Sequence, residues 1–324
     1  MKHRRTIALV LAVLLALSAT ACAKTQESGT ADTGYHTEEN TGRDAGEYPL
    51  ILRTPSATWF LSKADMAALG EDAYYEGLYG VIDLMEADFQ DARDALSGYI
   101  DEAVPAVDIY TDFGNRAAIS EIAGAYYNPI GNFIKIFDGW AMGGATLLHE
   151  YVHYLTVRCA KSPVDYVFWA EGMAAYVSVY ACKNRMARAV NFGFDLNELP
   201  PAMREQAWDK EEDCLDPKLV YMGWGAVMAR GMGVGQTYYA LKHEMILRTE
   251  KIQRELPPED LSFYEAAGMI AYLVETYGRD LVYENWNTDP TQTEPIYGKS
   301  FPELYGDWAV WNDAQCDALG FTLS

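Results

Sequence analysis

Leu147-Leu148-His149-Glu150-Tyr151-Val152-His153-Tyr154-Leu155 is the stretch on which the reading of this chain turns. Leu147, Leu148, Val152 and Leu155 recur at helical spacing, so the segment is expected to be a helix with one buried side. Its centre has the pattern H-E-x-x-H. Residues four apart on a helix stand on one face, one turn above the other. His149 and His153 can therefore each offer a ring nitrogen to a single zinc ion, at about 2.0–2.1 Å. Glu150 stands beside the first of them, where its carboxylate can lean toward a water and act as a base. The chain has only five histidines, and two of them form this pattern. Gly143, Gly144 and Ala145 are expected to keep the start of the helix slim beside a ligand-facing cleft.

A catalytic zinc takes three protein ligands and leaves the fourth position open. Phe168-Trp169-Ala170-Glu171-Gly172-Met173-Ala174-Ala175-Tyr176 offers the third, Glu171, 18 positions after His153. That separation allows one helix to end, the chain to turn at Pro163, and an antiparallel helix to bring a carboxylate back. An unpaired carboxylate between Trp169 and Met173 is costly to bury, and a metal removes the cost. The small residues Gly172, Ala174 and Ala175 are expected to let this helix approach the first one closely.

On these two motifs the chain resembles the gluzincin clan of zinc peptidases, within the group called peptidase MA-like. The resemblance spans Asp72 to Tyr277 as an order of elements. It implies a zincin-like catalytic domain with one Zn2+, held by His149, His153 and Glu171, and it makes Glu150 the general base and acid. Ala175 stands where thermolysin-like members carry an orienting Asp, so that subgroup fits less well. Phe263-Tyr264-Glu265-Ala266-Ala267-Gly268 is similar to the helix whose opening Tyr stabilises an oxyanion in aminopeptidase-like members, which implies that role for Tyr264. Those aminopeptidases also carry a Gly-x-Met-Glu-Asn strand that grips the substrate's amine. Here the corresponding stretch is Gly124-Ala125-Tyr126-Tyr127-Asn128, with Tyr127 in place of the Glu. The implied activity is peptide-bond hydrolysis on a peptide or protein substrate, by an endopeptidase in preference to an aminopeptidase. The rival class is an inactive surface lipoprotein that keeps the zinc site as a binding module; an intact Glu150 argues against it.

Outward from the motifs, the expected fold class is α+β, a small mixed sheet followed by a mostly helical domain. Helices are expected over 72–96, 143–157, 167–180, 222–248 and 263–277, the last stopped by Gly278. Residues 104–110 read as a strand, and 119–127 with 132–137 as a hairpin turning at Asn128-Pro129-Ile130-Gly131. The 132–137 strand is a candidate edge for pairing with extended peptide. Residues 195–217, acidic and Pro-containing, read as a long surface loop. Gly231, Gly233 and Gly235 do not form a phosphate loop, because no strand precedes them and no Lys-Ser/Thr follows.

Residues 1–21 read as a signal peptide, with Lys2, Arg4 and Arg5 before an apolar run from Ile7 to Leu17 that is too short to span a bilayer. Ser18-Ala19-Thr20-Ala21-Cys22 resembles a bacterial lipobox, which implies lipidation at Cys22 and an exported protein held to the membrane by that anchor. Residues 22–46 are polar and read as a flexible tether; residues 47–324 are the domain. The net charge of −22 disfavours nucleic acid and anionic headgroups as partners. Cys159, Cys182, Cys214 and Cys316 allow two disulfides in an oxidising compartment, or four buried thiols.

Overall fold

The computed structural model describes residues 35–114, 124–191, 201–229 and 261–320. The signal segment, Cys22 and the 231–235 glycines lie outside the described residues. The described chain is α+β, with a six-stranded sheet and helices. No helix among the described residues is long and apolar enough to cross a membrane. The chain divides into two compact units. The first draws on residues up to Gln90, on Ala103–Tyr154 and on Arg185–Gly193; the second takes Asp91–Glu102, Leu155–Asn184 and residues from Phe194 onward.

The first unit is built on the sheet. Its strands are β1 (Thr37–Glu39), β2 (Leu50–Arg53), β3 (Ala57–Leu61), β4 (Val107–Thr111), β5 (Ala125–Asn128) and β6 (Phe133–Ile136), in the spatial order β1-β2-β3-β4-β6-β5. β3, β4 and β6 run parallel to one another, and the other pairs are antiparallel. Helices α1 (Lys63–Leu69) and α2 (Glu71–Ala95) make the crossover from β3 to β4, the connection that a parallel pair requires. Register aligns Leu52, Trp59, Ile109, Ile134 and Tyr127 in one row across five strands. Four of these are fully buried and Tyr127 is 9% exposed, so the row forms the core face.

The segment read as a tether reaches this sheet. Thr37–Glu39 pairs with β2, and Asn40 ties the following loop by donating to the Tyr48 carbonyl at 2.7 Å. A polar edge strand needs only main-chain pairing, so composition does not betray it.

Helix α3 (Trp140–Tyr154) carries the H-E-x-x-H motif. Its first residue, Trp140, is buried in a notch on α2. A Cβ added to Gly77 would lie 2.3 Å from the Trp140 ring, so only glycine fits there. The Trp140 indole donates to the Tyr74 carbonyl at 3.1 Å. Further along, Tyr151 stacks on Phe89 at 4.0 Å between centroids. Contacts at 77 with 140 and at 89 with 151 mean that α2 and α3 run side by side in one direction. Burying one such aromatic contributes about 1.5–3 kcal/mol. The slim start of α3 serves packing and not a cleft. A Cβ on Gly143 would meet Ile136 at 2.3 Å, and one on Gly144 would meet Met186 at 2.9 Å.

In the second unit, α4 (Val167–Tyr176) and α7 (Phe263–Tyr277) form a close pair, with α6 (Pro217–Ala229) and α8 (Phe301–Ala318) alongside. α5 (Arg185–Ala189) belongs to the first unit. Residues 263–277 match the sequence reading residue for residue, because Ser262 and Glu265 form a capping box and Gly278 stops the helix at φ 93°. The 195–217 stretch is not all loop: 201–206 are helical and Trp208–Asp209 pairs with Cys214–Leu215. The four cysteines are buried thiols and form no disulfide.

Candidate metal centre

The α3 helix buries Leu147, Leu148, Tyr151, Val152 and Tyr154. His149, Glu150 and His153 lie on the opposite stripe and are half-buried. The two histidines reach toward the same point. Their Nε2 atoms are 3.1 Å apart and their rings are inclined at 82°. Two nitrogens bound to one tetrahedral zinc stand roughly 3.3 Å apart, so the pair already has the spacing that one ion demands.

Among the described residues, one group of His, Cys, Asp and Glu side chains can hold a metal ion. It comprises His149 and His153 of the first unit and Glu171 of the second, each of which offers one ligand atom. Two imidazole nitrogens and a carboxylate oxygen form a donor set that suits zinc.

Glu171 sits on α4 among buried neighbours, Trp169, Gly172 and Met173. The gap left by Gly172 faces α7 within its own unit. A Cβ there would be 2.7 Å from Ile270 Cδ1 and 3.3 Å from Ala266 Cβ. At Gly172, then, the small residue lets α4 and α7 approach each other. Both helices that carry candidate ligands run directly into a five-residue π-helical turn, Leu155–Cys159 after α3 and Val177–Ala181 after α4. Such turns are rare and concentrate near functional sites.

Glu150 has a partner that the sequence did not foretell. Its Oε2 accepts the main-chain N–H of Tyr127 at 2.7 Å. Tyr127 is itself pinned. Its hydroxyl donates to Asn132 Oδ1 at 3.0 Å, and its ring meets that of Tyr154 edge-on at 6.0 Å. The phenol is thus committed to its own hairpin and does not project as an anchor for an amine.

The 132–137 strand is not an edge. β6 is paired with β4 on one side and β5 on the other, so its ladder is full. Among the described residues the sheet ends on that side at β5. The Gly124 carbonyl accepts from Phe137 N at 2.8 Å. Alternation along β5 then turns the main-chain groups of 126 toward β6 and those of 125 and 127 outward.

Tyr264 is the second residue of α7 and is buried against Tyr221 and Trp224, at 4.7 and 6.1 Å between ring centroids. The sequence missed Asp88. This fully buried carboxylate accepts from the main-chain N–H groups of Arg185 and Met186, at 2.9 and 3.1 Å, and from Arg185 Nη1 at 2.9 Å. It caps α5, whose Met186 packs on Gly144 of the histidine helix. No protein-family model, curated protein or solved structure matches this chain.

Proposed function

We propose that this protein is a zinc-dependent peptidase of gluzincin type, acting as an endopeptidase. The observation that carries the reading is the convergence of the His149 and His153 Nε2 atoms at 3.1 Å. His149, His153 and Glu171 hold the ion. When bound, zinc supplies a Lewis acid and lowers the pKa of a coordinated water. Glu150 takes the proton of the attacking water and returns it to the leaving amine. On the resemblance alone, the Tyr264 hydroxyl donates to the developing oxyanion. An extended peptide lies along β5, pairing with its outward main-chain groups other than the Tyr127 N–H that Glu150 occupies, so the substrate follows the strand that also touches the base. The commitment of the Tyr127 phenol to Asn132 supports endopeptidase action over aminopeptidase action. Export and anchoring through Cys22 belong to the same proposal.

The test is peptide-library cleavage by residues 23–324 with zinc present, run beside Glu150→Gln. Cleavage by the parent and loss in the variant are expected, with one zinc retained by both. Equal cleavage by both proteins, or a parent that binds no zinc, rules the reading out.

A further inference from the structure

We infer that the main-chain N–H of Tyr127 is a positioning group for Glu150, so that the edge strand sets the orientation of the base; the inference rests on the role proposed for Glu150. The four-residue spacing on α3 aligns the two histidines. That spacing does not fix the side chain of Glu150. Its side chain has three rotatable bonds and loses up to about 2 kcal/mol of rotamer freedom when held. The Tyr127 N–H at 2.7 Å supplies the hold, with the short length of a bond to a charged acceptor.

The donor is rigid for reasons visible around it. Tyr127 stands opposite Ile134 in the row of core residues and is 9% exposed. Its hydroxyl is bonded across the hairpin to Asn132, and its ring lies against Tyr154, whose hydroxyl donates to the Pro105 carbonyl at 2.8 Å. Its N–H points away from β6, so the bond to Glu150 takes nothing from the ladder. A carboxylate accepts several hydrogen bonds, so the bond to the strand does not by itself exclude a water. A base held this way is oriented before the substrate arrives, which lowers the reorganisation needed during reaction.

Two measurements test this. The first needs no activity: amide hydrogen exchange at single-residue resolution, on metal-free and zinc-loaded protein, with Glu150→Ala beside the parent. Exchange at Tyr127 is expected to accelerate about tenfold or more in the variant, the worth of a charge-assisted bond, while the doubly paired β6 amides keep their protection. Unchanged exchange at Tyr127 overturns the inference. The second replaces the 126–127 amide by an ester, with 4-hydroxyphenyllactate in place of Tyr127, which deletes the N–H and keeps the side chain. With zinc still bound, kcat is expected to fall about 10- to 100-fold with KM within about twofold. An ester protein that binds zinc and keeps the parent kcat overturns the inference as well. Should the parent cleave no peptide, the exchange arm still decides, and the failure then belongs to the peptidase reading.

Discussion

His149 and His153 present their Nε2 atoms to each other at 3.1 Å, from positions one helical turn apart on α3. At this distance one neutral ring can donate its N–H to the other, and a cation between them would be bound by both nitrogens. Loss of either ring leaves too few ligands for tight zinc binding. His153→Ala is expected to lose bound zinc on dialysis and to lower kcat/KM to background, as read by metal analysis and peptide cleavage. A variant that keeps one zinc per chain would exclude this site.

Zinc removal should also lower stability. A ligand that binds only the folded chain stabilises it by about 4 kcal/mol when present at a thousand times its Kd. A chelator is expected to lower the Tm, and added zinc to restore it. The His149→Ala protein should show no chelator response at all.

Gly172 touches α7 so closely that any side chain collides. Gly172→Ala places a methyl 2.7 Å from Ile270 Cδ1 and is expected to cost about 1–3 kcal/mol of stability. Ile270→Val deletes that Cδ1. The double variant should therefore be more stable than the two single effects predict, which a thermodynamic cycle measures. Glu171 is the next residue, so zinc affinity should fall in Gly172→Ala and recover in the double variant.

Asp88 receives two main-chain N–H groups and the Arg185 guanidinium while fully buried. Burial pushes its carboxyl above the usual range in spite of these donors. Asp88→Ala strands the donors at the start of α5 and is expected to cost about 2–4 kcal/mol by chemical denaturation. A loss below half of the lower figure would show that α5 caps itself.

Asp65 gives a pH signature. Burial is the largest cause that raises its carboxyl from 3.8 to about 6, against the N–H groups of Phe113 and Gly114 that it accepts; Asp112 nearby raises it further. A raised carboxyl means that the folded chain holds a proton that the unfolded chain has released. The contribution of this group to stability therefore falls as pH rises from about 4 to about 6. Asp65→Asn removes the effect. The Tm of the parent relative to Asp65→Asn should decline across that window, and a constant difference would contradict the assignment.

Much of the candidate site was legible because its cause is local. H-E-x-x-H aligns two histidines through helical period alone, and Ser262, Glu265 and Gly278 bound α7 through caps that sequence displays directly. The hairpin around Asn128–Gly131 was legible through its turn residues. β1 was not, since Thr37–Glu39 carries no apolar pattern and is a strand only because β2 offers it partners. The edge of the sheet was misread for a related reason. Strand order follows from pairing between distant segments, and nothing within 132–137 records that β4 lies beside it.

By itself, then, the sequence determined which residues share a helix face and where the helices around the site stop, because those properties arise within a few residues of chain. Only the tertiary structure decided that Glu150 hangs from Tyr127, that the gap at Gly172 belongs to Ile270, and that β5 rather than β6 ends the sheet among the described residues. Each of these is a contact between segments that the chain separates, and its geometry exists only when both have packed.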